Sequence, residues 1–153
     1  MSGEFARGWA RVLIMAGAVV AVDQATKALA LAQLSPGERI DLILGVDLAE
    51  ISNKGVAFGF LGGGGAAVVV VTAIALGLVL VWFARDPGRP AMWLAVGLLT
   101  GGALGNLADR ARVGAVTDFI DPPVWPAFNL ADVAITAGAI LLAVIALASE
   151  PRQ

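Results

Sequence analysis

The chain contains no cysteine and no histidine among its 153 residues. Without cysteine it can form neither a disulfide framework nor a thiolate metal site, and it has no thiol nucleophile. Without histidine it lacks the usual general base, the Ser-His-Asp arrangement and the imidazole metal ligand. Acid–base chemistry near neutral pH must therefore fall mainly to aspartate, glutamate or lysine. We expect no bound metal and no cofactor.

Charged residues are also scarce, at 14% of the chain, whereas a soluble domain carries about 25%. Hydrophobic residues make up 59%, and the mean hydropathy is +0.87. These values are typical of a membrane protein, and the length fits one membrane domain over residues 1–153. The net charge is −2 and the 10 basic residues form no run, so we expect no nucleic-acid partner.

Four apolar runs are long enough to cross a bilayer, at residues 9–31, 64–84, 91–108 and 131–149. They predict an α-helical membrane fold with four transmembrane helices. Residues 35–63 contain only short apolar stretches, interrupted by glycine, proline, asparagine and acids. This pattern predicts a small extramembrane β-cradle. Residues 109–130 predict an amphipathic or irregular connection, broken by Pro122, Pro123 and Pro126.

The distribution of arginine indicates an orientation in the membrane. Four spans place both termini on one side, together with the turn between the second and third spans. That side carries Arg7, Arg11, Arg85, Arg89 and Arg152. The positive-inside rule predicts that it is cytoplasmic, with the cradle and the 109–130 connection at the outer face.

Asp118 and Asp132 are the most informative acidic residues. They lie on either side of a proline-containing turn that can bring their carboxyl groups together. Two carboxyls in close contact share a proton, so one can activate water while the other polarises a carbonyl and protonates a leaving amine. Alternatively, Asp132 only caps the last helix. Asp121, directly before Pro122, is typical of a turn.

A second group of charged residues borders the same region. Asp23 and Lys27 are spaced i, i+4, which predicts an intrahelical pair with the lysine snorkelling near the outer face. Asp109 is either a further catalytic candidate or, as we favour, part of a helix-end ion pair with Arg110 or Arg112.

Three asparagines complete the set of candidate polar residues. Asn106 and Asn129 each stand three residues ahead of an aspartate. Either could orient a carboxylate or a substrate carbonyl, or could instead satisfy backbone groups at a helix end. Asn53, two residues before Gly55, is typical of a turn.

Five segments occur in the order of a known family: VDQATK at 22–27, SNKGVAFG at 52–59, GGALGNLADR at 101–110, VTDFID at 116–121 and FNLADVAI at 128–135. Together they resemble lipoprotein signal peptidase, the bacterial type II signal peptidase. The resemblance covers nearly the whole chain. The connection DPPVWPAFN looks short for the family, which bears on the shape of an outer lid.

The resemblance implies an intramembrane aspartyl endopeptidase of the bacterial cytoplasmic membrane. Such an enzyme removes the signal peptide from prolipoproteins once the cysteine at the cleavage site carries a diacylglyceryl group. The family's catalytic dyad matches Asp118 and Asp132. Supporting or substrate-binding positions in the matched motifs are Asp23, Lys27, Asn53, Gly55, Asn106, Asp109, Arg110 and Asn129. The implied partners are lipid-bearing prolipoprotein signal peptides, membrane lipid and the cyclic peptide antibiotic globomycin.

Two other classes of function are compatible with the composition. A small channel or proton-coupled transporter would use Asp23, Asp109 and Asp132 as a proton relay. A relay needs acids at several depths, whereas the half of each span predicted to be cytoplasmic lacks them. A non-catalytic membrane assembly factor would require none of the aspartates.

Overall fold

The computed structural model describes residues 2–35, 37–55 and 64–148. Within these ranges the chain forms four α-helices and three β-strands. The helices are α1 (Ser2–Gln33), α2 (Gly64–Arg85), α3 (Met92–Val113) and α4 (Leu130–Leu147). The strands are β1 (Arg39–Ile43), β2 (Val46–Asn53) and β3 (Val116–Asp121).

Three of the helices are long and apolar enough to cross a membrane, by length and composition. These segments are Gly3–Gln33 in α1, Ala66–Arg85 in α2 and Leu130–Leu147 in α4. The fourth helix, α3, is not among them, yet it packs against each of the other three. A helix surrounded by protein can carry more small and polar residues than one that faces lipid. The predicted helical architecture is confirmed.

The third helix is longer than the apolar run predicted as the third span. That run ends at residue 108, whereas α3 continues to Val113. It ends where Gly114 adopts the left-handed conformation, with φ of 78°. The backbone N–H of Gly114 donates to the carbonyl of Arg110 at 3.0 Å, which is a glycine C-cap. Asp109 therefore lies inside a helix and not at the start of a loop.

Glycines on opposite faces of α3 let this helix approach two neighbours closely. A Cβ on Gly101 would lie 2.8 Å from the carbonyl oxygen of Ala16 in α1. A Cβ on Gly102 would lie 2.5 Å from the carbonyl oxygen of Ala131 in α4. Small residues permit such backbone contacts between membrane helices. The close packing brings polar side chains of α1, α3 and α4 within hydrogen-bonding reach.

The three strands form one antiparallel sheet in the order β1-β2-β3. The strands predicted within the cradle are found at Arg39–Ile43 and Val46–Asn53. They are joined by Leu44 and Gly45, with φ of 53° and 78°, as in a tight two-residue hairpin. Residues 56–63 of the predicted cradle lie outside the described part.

Strand β3 corrects the prediction of an irregular connection over residues 109–130. Val116 and Thr117 favour extended backbone because they are β-branched, and β3 pairs with β2 through Asn53↔Val116 and Ile51↔Asp118. The sheet therefore places Asp118 beside the end of β2. This pairing positions one of the two candidate carboxylates.

Candidate active site

Asp118 lies on β3 with only 1% of its surface exposed. Its Oδ2 accepts a hydrogen bond from the side-chain amide of Asn53 at 2.9 Å. Its Oδ1 accepts one from the side-chain amide of Asn129 at 2.7 Å. Both donors are neutral amides, and among the described residues no cation forms an ion pair with this carboxyl group.

Burial raises the pKa of Asp118 above the usual value for a carboxyl group. The hydrogen bond from Asn53 acts in the opposite direction, and the negative charge of Asp132 raises the pKa again. The influence of Asp132 means that the two carboxyl groups are close enough to interact. A buried acid beside a second acid is an arrangement that favours one shared proton.

Asp132 lies in the first turn of α4 and closes a capping box with Asn129. The backbone N–H of Asp132 donates to Oδ1 of Asn129 at 3.0 Å. In return, Oδ2 of Asp132 accepts from the backbone N–H of Asn129 at 3.2 Å. The helix-capping interpretation of Asp132 is confirmed. Its Oδ1 also accepts from the side-chain amide of Asn106 at 2.8 Å, so capping and a place in the polar cluster are not exclusive.

Asn129 connects the two candidate carboxylates. Its side chain donates to Asp118, and its backbone N–H donates to Asp132. The side chain is fully buried and its amide also lies 3.1 Å from Oδ1 of Asn106. Asn129 therefore has both roles that the sequence left open: it caps a helix and it orients a carboxyl group through a hydrogen bond.

Lys27 is at the centre of a buried charged cluster. Its Nζ lies 2.9 Å from Oδ2 of Asp23 and 2.7 Å from Oδ2 of Asp109, and it donates to Oδ1 of Asn106 at 3.2 Å. The predicted i, i+4 pair is confirmed. The prediction that Lys27 snorkels was wrong, because its side chain is only 5% exposed and α3 covers it.

Asp109 makes its closest ion pair with Lys27 and not with the arginines that follow it. The guanidinium group of Arg112 lies 3.9 Å away and is 62% exposed, which is a weak contact. Arg110 instead approaches the backbone carbonyl of Asn106, at 3.5 Å. The favoured helix-end pairing was therefore wrong about the main partner. Asp109 also accepts from the backbone N–H of Thr117 at 3.2 Å, which ties α3 to β3.

Asp23 is fully buried and links α1 to the start of α4. Its Oδ1 accepts from the backbone N–H of Ala131 at 3.0 Å. The first N–H groups of a helix have no partner within the helix, and an acid at this position also favours the helix dipole. Asp23 therefore positions the helix turn that carries Asp132.

Gln24 belongs to the cluster and was missed at the sequence level. Its side-chain amide donates to Oδ2 of Asp23 and to Oδ1 of Asp109, both at 3.0 Å. It also approaches the carbonyl of Gly105 at 3.3 Å. The available signal was its place inside the VDQATK segment, between two residues that we did select.

Two predicted turn residues have additional contacts. Oδ1 of Asn53 accepts from the backbone N–H of Gly55 at 2.9 Å, so Asn53 makes the expected turn while its amide reaches Asp118. Gly55 has φ of 72°, a conformation that favours glycine. Asp121 is the last residue of β3 and pairs with Arg39 at 2.7 Å, so the turn-only interpretation of Asp121 was incomplete.

An apolar groove of about 390 Å³ opens between α2 and the pair α3–α4. Asp132, Asn106 and Arg110 contribute its polar lining, and the remainder is chiefly aliphatic. The α2 wall includes Val68, Thr72 and Leu76. Such a groove fits an extended or helical apolar segment, and it passes directly beside the carboxyl group of Asp132.

The structure thus gathers most of the selected side chains into one connected polar cluster between the sheet and the helix ends. The hydrogen-bonded or ion-paired members are Asp23, Gln24, Lys27, Asn53, Asn106, Asp109, Asp118, Asn129 and Asp132. Gly55 supports the turn, and Arg110 lies at the groove. Two interacting carboxyl groups beside an apolar groove can act as a general acid and a general base.

Comparison with known proteins gives a consistent result. Residues 15–148 match the sequence profile of the family described as Signal peptidase (SPase) II. A lipoprotein signal peptidase of Pelotomaculum thermopropionicum is 46% identical over 134 residues, covering 86% of this chain and 88% of the relative. Another, from Syntrophomonas wolfei, is 38% identical and covers 96% and 97%. A solved bacterial membrane enzyme superposes with a TM-score of 0.78 at 33% identity, over 92% and 94% of the two chains.

Proposed function

Because the chain belongs to the signal peptidase II family, we propose that it is a membrane protease that removes signal peptides from prolipoproteins. We further propose that Asp118 and Asp132 form its catalytic pair. The observation that carries this assignment is the position of Asn129, which donates from its side chain to Asp118 and from its backbone to Asp132. The two carboxyl groups are thereby held around one buried residue, and that of Asp132 lies at the wall of the groove.

The two carboxyl groups have different surroundings, which supports different roles. Asp118 is buried, and burial raises its pKa, so the shared proton is favoured on Asp118. Asp132 lines the groove, where water and a peptide can reach it. We therefore assign Asp132 as the base that takes a proton from water and Asp118 as the acid.

In the proposed reaction, the oxygen of water attacks the carbonyl carbon that precedes the modified cysteine while Asp132 accepts a proton from that water. Asp118 donates its hydrogen bond to the oxygen on which negative charge develops. The C–N bond then breaks, and a proton from the pair passes to the leaving nitrogen. The products are a free carboxyl group on the signal peptide and a free amine on the cysteine.

The apolar groove is the proposed binding site of the signal peptide. Its aliphatic walls from α2, α3 and α4 match the hydrophobic segment of such a peptide. Asn106 and Arg110 lie at the wall of the same groove, where they can donate to carbonyl oxygens of the peptide. We propose that the diacylglyceryl chains attached to the cysteine extend into the surrounding membrane lipid.

Globomycin is proposed to bind in the same place by family resemblance. A cyclic peptide that occupies the groove would meet the carboxyl group of Asp132 and exclude the substrate. If globomycin binds in the groove, raising the substrate concentration should restore cleavage. Inhibition that does not depend on the substrate concentration would contradict this binding site.

We also propose that both termini are cytoplasmic and that the carboxyl pair lies near the outer face. The support is that the N-terminal part of α1 and the turn between α2 and α3 are rich in arginine. These residues are Arg7, Arg11, Arg85 and Arg89. The absence of native cysteine permits a direct test. An impermeant maleimide should label Val124→Cys in intact spheroplasts and Gly88→Cys only after lysis, and the reverse pattern would contradict the orientation.

The proposed substrate can be tested with a purified prolipoprotein prepared with and without its diacylglyceryl group. Mass spectrometry should show one cleavage, immediately before the modified cysteine, and only in the modified precursor. Equal cleavage of both precursors would contradict the lipid requirement, and cleavage of neither would contradict the function. A proton-coupled transporter is not supported, because the family is a protease family and Asp23 and Asp109 are paired with Lys27.

A further inference from the structure

A polar cavity of about 180 Å³ lies at the opposite end of the helical bundle from the carboxyl pair. It is formed by the first turns of α1 and the turn that joins α2 to α3. Three arginines line it, Arg7, Arg11 and Arg89, and one acid, Glu4. The lining therefore carries an excess of positive charge. The proposed peptidase reaction does not use these residues.

Two of the arginines are held in place by aromatic rings at the cavity. The guanidinium carbon of Arg11 lies 5.9 Å from the ring centroid of Trp93, and that of Arg89 lies 5.8 Å from the ring of Trp82. Arg89 also donates to the backbone carbonyl of Ile145 at 3.1 Å. These contacts are cation–π and backbone interactions, which do not neutralise the positive charge.

Within the described ranges, none of the three arginines lies within ion-pair distance of a carboxylate. A planar guanidinium group binds phosphate oxygens through two parallel hydrogen bonds. Two or three such groups around one small cavity therefore match a singly charged phosphate. The cavity volume corresponds to about six water molecules at ~30 Å³ each, which is room for a phosphate and its ester oxygens.

The depth of the cavity points to a lipid as the source of that phosphate. Along α1, Arg11 precedes the buried Asp23 by 12 residues, or about 18 Å at the rise of an α-helix. The cavity and the carboxyl cluster therefore lie towards opposite faces of the bilayer. Trp82 and Trp93 are tryptophans of the kind that lie at head-group level, and anionic lipids attract arginine at that level.

We propose that this cavity binds the phosphate of an anionic phospholipid, such as phosphatidylglycerol, in the membrane leaflet opposite the carboxyl pair. The bound lipid joins the start of α1 to the α2–α3 turn. Gly8 already contacts Pro87 across this junction, where an added Cβ would lie 2.6 Å from the Pro87 carbonyl oxygen. A lipid phosphate would hold these two segments together by charge as well as by packing.

The test compares the wild type with the double variant Arg7→Gln/Arg11→Gln. Arg85→Gln is the control for the loss of one arginine charge, because it removes that charge from the exposed last turn of α2 and Arg85 does not line the cavity. Each protein is purified in a neutral detergent and titrated with phosphatidylglycerol or phosphatidylcholine. Native mass spectrometry then counts the lipids retained, and the unfolding temperature reports whether each variant is folded.

The wild type should retain phosphatidylglycerol in preference to phosphatidylcholine. The preference should fall about fivefold for each cavity arginine removed and change by less than about twofold in Arg85→Gln. An equal loss per charge removed in the control and in the double variant would overturn the proposal, because it would indicate a diffuse charge effect. An unchanged preference for phosphatidylglycerol in a folded double variant would also overturn the proposal.

Inorganic phosphate distinguishes the two sources of the anion. If the cavity binds lipid, phosphate at millimolar concentration should not displace phosphatidylglycerol from the wild type. If phosphate displaces the lipid and stabilises the protein equally well, a soluble phosphate is the ligand and the lipid proposal is wrong. All of these measurements are independent of peptide cleavage, so they remain informative whatever the outcome for the proposed peptidase function.

Discussion

The side-chain amide of Asn129 donates to Oδ1 of Asp118 across 2.7 Å, which is shorter than the 2.9 Å hydrogen bond from Asn53 to the same carboxyl group. The same residue caps the start of α4 and accepts the backbone N–H of Asp132 on its side-chain oxygen. One amide group therefore sets the start of a helix with its oxygen and holds a buried acid with its nitrogen. These two functions can be separated by substitution.

Asn129→Ser keeps an oxygen for the helix cap but loses the amide donor. Because serine caps helices about as well as asparagine, Asn129→Ser should keep the stability that the cap contributes, although the loss of the buried amide should cost about 1–3 kcal/mol. The loss of the amide that orients the carboxyl group of Asp118 should lower kcat by about 10- to 100-fold. Asn129→Ala should lose the same activity and a further ~1 kcal/mol of stability. Equal stability of the two variants in unfolding assays would contradict the capping role.

Lys27 is expected to be a large contributor to stability. Lys27→Met leaves the carboxylates of Asp23 and Asp109 buried without their cation, which should cost about 3–5 kcal/mol. Arg39→Gln is the control, because this arginine is 57% exposed in its pairs with Asp47 and Asp121 and should cost at most about 1 kcal/mol. Unfolding in mixed micelles measures both, and similar small losses would contradict the importance of the buried cluster.

The pH dependence of cleavage should report on Asp118. Its folded pKa is raised by burial, so the folded state binds more protons than the unfolded state, and this group's contribution to stability declines as the pH rises through the folded pKa. Cleavage should fall over the same range, because the pair loses its shared proton. The Asn53 hydrogen bond lowers the pKa, and its loss should raise it further.

We therefore expect Asn53→Ala to move the alkaline limb of kcat/KM to higher pH. Ser52→Ala, one residue earlier on the same strand and exposed, should leave the profile unchanged. The measurement is kcat/KM across the pH range for the two variants and the wild type. An alkaline limb that stays in place or moves to lower pH in Asn53→Ala would show that this hydrogen bond does not set the proton on Asp118.

The groove can be tested by filling it from α2. Leu76 lines it, so Leu76→Trp should obstruct an apolar substrate and raise KM at least about tenfold, with little change in kcat. Leu78 is on the same helix but is 68% exposed and does not line the groove, so Leu78→Trp should leave KM unaltered. Matching KM values for the two variants would mean that the substrate binds elsewhere.

The sequence was sufficient to predict the helices but not the contacts that they make with distant segments. The apolar runs that became α2 and α4 need only hydropathy to be recognised, and the Asp23–Lys27 pair follows from helical spacing. Strand β3 was missed because its pairing with β2 is a contact between distant segments, and because VTDFID carries two aspartates that weaken a strand pattern. The Lys27–Asp109 pair was missed for a related reason, since helix packing and not sequence spacing brings α1 and α3 together.

The surroundings of Asp132 could not be predicted from the sequence alone. A helix cap was a sufficient explanation for Asp132, and the capping box is present. Only the fold reveals that the same carboxylate reaches Asn106 and lines a groove. Capping is compatible with the proposed catalytic role of Asp132, because the first turn of a helix holds a carboxylate at a helix end that also attracts negative charge.

The assignment of Asp118 and Asp132 is tested most directly by Asp118→Asn and Asp132→Asn, made separately and assayed on a lipid-modified prolipoprotein. Asparagine keeps the shape of each side chain and one of its two acceptor oxygens but cannot exchange the proton. We expect each variant to fold, to retain its α-helical content, and to lose at least about 100-fold in kcat. Full cleavage activity in either folded variant would contradict the catalytic pair.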